Sequence, residues 1–273
     1  MADGDANRTP VFERFVALGD STTEGLEDPY PDGRGYRGWA DRLAERLAAD
    51  NPGVAYANLA VRGRKVPQIR SEQLAPALAL EPDLASILGG INDVLRRRLD
   101  LDRVVGDLDA MAAALSAQGA TVLTFTFPDP TAVITVAAAR IRARVSDFNA
   151  RVRAMSAARG AVLVDLDRDG VAHPSLWCPD RLHANGGGHA RMAGAAATAL
   201  GLEEPDDGRP PPLPPPPVRR ALARYGSDAV WMGRHMAPWL LRRLRGVSSG
   251  DGRSPKRPEL MPVAAAVPTG ETG

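Results

Sequence analysis

The sequence predicts an α/β fold: a three-layer α/β/α sandwich around a five-stranded parallel sheet, with a helical extension at the C-terminus. Two observations carry this. Five short apolar, strand-like runs recur, and stretches with apolar residues at three-to-four spacing separate them. Strand and helix in alternation imply βαβ units, a parallel sheet and helices on both faces. Right-handed crossovers then give three layers that end near Leu202.

The runs are Arg14–Leu18, Val54–Ala60, Leu84–Leu88, Thr121–Phe127 and Ala161–Leu166. The helix-like stretches are Tyr36–Ala49, Val66–Leu78, Leu101–Gln118 and Ala137–Arg159, with a last one at Gly187–Leu200. Residues 14–202 are therefore expected to form one domain after a flexible N-terminus at 1–13. Beyond it the composition changes. Residues 203–217 read as a linker, because Pro210 to Pro217 is all proline except Leu213, a stiff extended spacer. Residues 218–246 read as a basic helical extension in which seven arginines face Asp228, with Trp231 and Trp239 interleaved. Two uses fit it: its aromatic face packs on the preceding domain, or it contacts an anionic membrane surface. Residues 247–273, rich in Gly, Ser and Pro, are expected to be a disordered tail.

The chain has 273 residues, 44% apolar and 25% charged, which is ordinary for a globular protein. A net charge of +1 gives no electrostatic case for nucleic acid. Lysine occurs only at Lys65 and Lys256, and with abundant alanine this fits coding bias in a GC-rich genome. The single cysteine, Cys178, excludes an internal disulfide framework and a cysteine-based metal site. The first residues have no apolar core for a signal peptide, and no run approaches the ~20 apolar residues of a membrane span. The expected location is cytoplasmic.

The candidate chemistry sits at the ends of the predicted strands, where ligands meet an open α/β sheet. The first run ends in Gly19-Asp20-Ser21-Thr22, a polar turn holding a serine. The second leads to Gly63, where a backbone N–H can approach a ligand with no Cβ in the way. The third ends in Gly89-Gly90-Ile91-Asn92-Asp93; an asparagine amide suits a developing oxyanion because it donates without titrating. It serves equally as a helix cap. Among the four histidines, His183 lies three residues after Asp180, within reach of its carboxylate. His173 is a rival base, Asp165 and Asp167 are rival acids, and His189 is expected to cap or pack.

Together, Gly19-Asp20-Ser21, Gly63, Gly90-Ile91-Asn92-Asp93 and Asp180-Arg181-Leu182-His183 resemble the four blocks of the SGNH (GDSL-type) hydrolase superfamily, in its order and spacing. The resemblance implies a flavodoxin-like sheet of order 2-1-3-4-5. It implies Ser21 as nucleophile, His183 as general base and Asp180 as its orienting acid. The Ser21 and Gly63 amides and the Asn92 side chain would form the oxyanion hole, with Asp20, Gly90 and Asp93 in support. No cofactor or metal is implied. The expected activity is carboxylester hydrolysis through an acyl-serine, on short-chain or acetyl esters. A thioesterase, a lysophospholipase or an acyltransferase would use the same site. The C-terminal extension, with its Gly250–Leu260 ending, resembles actinobacterial members. After the histidine, Ala184-Asn185 runs into three glycines, which predicts a loosened base segment. Arg64 is expected to add positive charge at the pocket mouth, and Thr23 stands where a Gly-x-Ser-x-Gly elbow needs its second glycine.

Overall fold

The computed structural model describes residues 11–133, 137–168, 171–202, 213, 228, 230–237, 241 and 248–264. All five predicted strands form: β1 (Arg14–Gly19), β2 (Ala55–Asn58), β3 (Leu84–Leu88), β4 (Thr121–Phe125) and β5 (Val162–Val164). They pair in parallel, with β1 between β2 and β3, then β4 and β5 outward, the order 2-1-3-4-5. The helices are α1 (Ser21–Glu24), α2 (Gly38–Asp50), α3 (Val66–Ala79), α4 (Ile91–Val94), α5 (Leu101–Ala117), α6 (Ala138–Arg159) and α7 (Gly186–Ala199). The single turns α1 and α4, absent from the sequence reading, follow directly on β1 and β3. Helix α2 packs on α7, and α3, α5 and α6 form a second row.

Burial explains the apolar runs. Phe15 to Leu18 of β1 and all of β3 are buried, as strands covered on both faces require. Trp39 of α2 reaches Phe125 of β4 at a ring-centroid separation of 4.8 Å. Phe15 and Tyr56 stack at 5.0 Å. The apolar stripe of each helix thus closes on the sheet, and the strand ends stay free for polar turns.

The sheet has a sixth strand, and the expectation of a disordered tail is corrected over residues 248–264; the rest of that tail, like the first ten residues of the expected flexible N-terminus, lies outside the described residues. β6 (Arg257–Pro262) lies antiparallel on the outer edge of β2, with Ala55 opposite Pro262. An uncovered β2 would present a row of unpaired N–H and C=O groups, and β6 satisfies them. Its anchors are polar. Lys256 Nζ pairs with Asp41 Oδ1 at 2.8 Å and donates to the Tyr36 and Arg37 carbonyls. Arg257 Nε donates to the Tyr56 carbonyl at 2.8 Å. Most of the linker and of the helical extension 218–246 lies outside the described residues. Among the described residues no helix is long and apolar enough to cross a membrane.

The buried Asp41 is where the new strand, α2 and β2 meet, since it accepts from Tyr30 (2.9 Å), Tyr56 (2.8 Å) and Lys256. Asp41→Ala removes the carboxylate that all three donors share and should cost about 3–5 kcal/mol in urea unfolding. Asp147→Ala, which breaks the exposed pair with Arg151, should cost about 0.5 kcal/mol or less. Equal losses would contradict this ranking.

Candidate active site

Strand β1 delivers its serine through a packed turn. A Cβ on Gly19 would collide with Thr23 and the Leu88 carbonyl, so the chain passes there only as glycine. Gln73, on α3, clasps the same residue from both sides: its Oε1 accepts from Gly19 N–H (2.8 Å) and its amide donates to Gly19 C=O (2.9 Å). Asp20 then caps α1 by accepting from Thr22 N–H at 3.1 Å. Ser21 is the first residue of α1 and only 7% exposed. Its N–H lies in the first turn, where helix amides have no partner within the helix.

Asp180 and His183 come from the loop between β5 and α7. Oδ1 of Asp180 accepts from the Leu182 and His183 N–H groups, at 3.0 and 3.1 Å. Its Oδ2 lies 2.6 Å from His183 Nδ1, and His183 Nε2 lies 3.0 Å from Ser21 Oγ. With Nδ1–H donating to Asp180, Nε2 is left as the acceptor of the Ser21 hydroxyl. Burial pushes the Asp180 carboxyl up, but the hydrogen bond and charge of His183 with the two backbone donors outweigh it, so it falls below the usual range. Burial pushes the His183 imidazole down, and the Asp180 hydrogen bond and charge, aided by Asp20 and Glu27, carry it above its ordinary value.

The opposite wall is built from the turns after β2 and β3. Gly63 adopts φ +77°, a left-handed conformation that glycine alone takes without strain. Its turn is tied to the serine helix, because Glu24 of α1 accepts from the Arg62 N–H (2.8 Å) and pairs with the Arg62 guanidinium. Asn92 Nδ2 donates to Asp20 Oδ2 at 2.9 Å and to the Arg64 carbonyl at 3.2 Å. Burial raises the Asp20 carboxyl to about 6, against the pull of the Thr22 and Asn92 hydrogen bonds. Asp93 accepts from Val66 N–H at 3.0 Å, at the start of α3. Gly90, at φ +124°, lies against the Phe148 ring.

The other candidates are placed elsewhere. His189 accepts from Trp39 N–H (3.2 Å) and donates to the Leu26 carbonyl (3.0 Å); burial lowers it to about 4, so it packs as a neutral ring. His173 accepts from Ser175 N–H. Asp165 and Asp167 both pair with Arg153. Arg64 pairs with Glu72 and Asp251, so its charge is neutralised and is not displayed at the mouth. The glycines after His183 do not loosen the base segment. A Cβ on Gly188 would strike the Leu176 carbonyl, and Asn185 caps α7 by accepting from Gly188 N–H at 3.1 Å. Burial, with Glu27 and Asp180 nearby, raises the Cys178 thiol to about 11, which makes it a poor nucleophile at neutral pH. Among the described residues no cluster of His, Cys, Asp or Glu could hold a metal ion. Sequence reasoning missed Gln73 and the Glu24–Arg62 latch; it expected the aromatic face that holds Trp231 to pack on the domain, as the buried ring does, but not that the indole N–H donates to the Asp180 carbonyl at 2.7 Å.

An apolar groove of about 640 Å³, counting its open mouth, begins beside the serine at Thr22. Leu88, Ile91, Phe127, Val171 and Leu182 line it.

The family model of the GDSL-like lipase/acylhydrolase family matches residues 17–191. No curated protein matches the chain. Among solved structures, the chain is similar to LAE5, an alpha/beta hydrolase enzyme from the metagenome of Lake Arreo, Spain. The two share 23% identity over 69% of this chain and 95% of that one, with a TM-score of 0.58. It is also similar to Axe2, an acetylxylan esterase from Geobacillus stearothermophilus, at 20% identity over 70% of this chain and 95% of that one, with a TM-score of 0.60. These two likenesses carry the shared fold. The family match covers more than half of the chain, blocks and all, and on that ground the chain belongs to the GDSL-like lipase/acylhydrolase family, as a hydrolase of carboxylic esters.

Proposed function

We propose that the chain is a serine esterase that works through an acyl-Ser21 intermediate. The observation that carries this reading is the hydrogen-bonded line Asp180–His183–Ser21, at 2.6 and 3.0 Å. Ser21 Oγ attacks the acyl carbon while His183 Nε2 takes its proton. Asp180 holds the imidazole in the required tautomer and stabilises the imidazolium. The carbonyl oxygen, now negative, faces the Ser21 and Gly63 amides and Asn92 Nδ2. For this Asn92 gives up its bond to the Arg64 carbonyl and keeps the one to Asp20. Collapse expels the alcohol, which takes the proton back from His183. A water molecule, deprotonated by the same nitrogen, then attacks the acyl carbon and releases the acid and free Ser21.

The groove supports an acyl group longer than acetyl. It opens beside Thr22 between the ends of three strands and is mostly apolar in its lining, with Thr22 and Arg181 as polar exceptions, which suits an alkyl chain better than a sugar.

Three outcomes test this. A fluorophosphonate probe should label the wild-type protein and leave Ser21→Ala unlabelled, with turnover in that variant down by about 10⁴ or more; equal labelling, or none, would overturn the assignment. The kcat/KM for an ester should rise with pH as His183 loses its proton, with a midpoint above the ordinary 6.5, because the pKa is raised and only the neutral ring is a base. Asp180→Asn removes the main raising influence, so the midpoint should move to lower pH; a midpoint unmoved would contradict the pairing. On p-nitrophenyl esters from C2 upward, kcat/KM should climb roughly fourfold per buried methylene, from about 0.8 kcal/mol each, until the groove is full. A maximum at acetyl would instead favour acetylated sugars.

A further inference from the structure

The turn that carries the base is strained and is held from outside by a distant part of the chain. Arg181 sits at φ +59°, a left-handed conformation costly for a residue with a side chain. Such a residue persists where its surroundings over-determine it. Here the turn's own backbone bonds, Arg181 N–H to the Cys178 carbonyl and Cys178 N–H to the His183 carbonyl (both 2.9 Å), are joined by contacts from Asp228 and Trp231. The Trp231 indole N–H donates to the Asp180 carbonyl at 2.7 Å, and the ring is only 4% exposed. The Arg181 guanidinium stands 5.2 Å from the indole ring and pairs with Asp228 Oδ1 at 2.6 Å. A π-helical turn, Met232–Met236, follows at once, a distortion frequent at functional sites.

The peptide that Trp231 grips joins Asp180 to Arg181. Next along the turn come the N–H groups of Leu182 and His183. Both donate to the Asp180 carboxylate, whose other oxygen holds His183 Nδ1. One indole hydrogen bond therefore bears on the whole acid–base pair.

Further along the C-terminal segment, residues 248–251 reach the other wall. Ser248 and Ser249 lie where a Cβ on Gly63 would point, Gly250 packs against the Arg62 carbonyl, and Asp251 pairs with Arg64. We propose that Trp231 is a positioning residue for the Asp180–His183 pair, and that the C-terminal segment is thereby a working part of the hydrolase site. The proposal rests on the reading of Ser21 and His183 given above. The charged groups that act on His183 are Asp180, Asp20 at the end of β1 and Glu27 after α1. Of these, Trp231 contacts Asp180.

The test is Trp231→Phe in the full chain, which keeps a packed ring and removes the N–H donor. Expected are a kcat on a p-nitrophenyl ester down by about tenfold, in line with the loss of about 1–1.5 kcal/mol for one hydrogen bond, KM within about twofold, and a pH midpoint moved down as Asp180 loses its hold on His183. Thermal unfolding should shift by no more than a few degrees. Wild-type kinetics with an unmoved midpoint would overturn the proposal. So would kcat falling in step with stability while the midpoint stays, since that marks a structural role alone. If Trp231→Phe does not fold, Asp228→Asn, which frees Arg181 from its carboxylate, is read by the same criteria and decides. Ser21→Ala separates the two readings: activity persisting there sinks the site itself, whereas an inactive Ser21→Ala beside an unaffected Trp231→Phe sinks the positioning role alone.

Discussion

A carboxylate that is mostly withdrawn from water is costly unless its oxygens are fully bonded, and the Asp180 carboxylate meets that demand inside a four-residue turn. It takes two backbone N–H groups on one oxygen and the His183 ring on the other. This fixes the tautomer and leaves Nε2 directed at Ser21. The rest of the site is arranged to bring the serine to that nitrogen. Gln73 clamps the end of β1, Glu24 ties the Gly63 turn to the serine helix, and Asn185 with its glycines seats α7 directly behind the base. Each is a short-range constraint, and together they place groups from distant parts of the chain in one cleft.

The two groups proposed as oxyanion donors beside Ser21 stand differently in the structure. Glycine at φ +77° frees the Gly63 backbone to approach a ligand. Asn92 instead spends its amide protons on Asp20 and on the Arg64 carbonyl. The bond to Asp20 joins the Asn92 turn to the serine turn. The carboxylate of Asp20, raised by burial to about 6, is mostly charged at neutral pH and adds to the field that favours a protonated His183. Asp180 and Asp20 thus favour the charged form of the His183 ring from two directions.

Much of this was legible in the sequence, because its signals are local. Buried strands such as Phe15–Leu18 and Leu84–Leu88 are apolar at every position, and the polar blocks at their ends stand out against them. Strand β6 was not legible. Its pairing with β2 depends on an edge some 200 residues away in sequence, and its own composition of Pro, Arg and Glu reads as tail. The glycines at 186–188 misled for a related reason: glycine signals either looseness or close packing, and only the neighbour, here the Leu176 carbonyl, decides. Gln73 and Trp231 sit in stretches whose pattern explains them as helix residues, so their hydrogen bonds to Gly19 and Asp180 left no trace in spacing. The apolar groove is assembled from the ends of separate strands and the loops beyond them, and no single window of sequence contains it.

The central claim is geometric, and a crystal structure of the protein inactivated with diethyl p-nitrophenyl phosphate tests it most directly. Phosphorus should be bonded to Ser21 Oγ, with its phosphoryl oxygen within hydrogen-bonding distance of the Ser21 and Gly63 amides and of Asn92 Nδ2, the last released from the Arg64 carbonyl. An adduct on another side chain, or a phosphoryl oxygen turned away from Gly63 with Asn92 still bonded to Arg64, would contradict it.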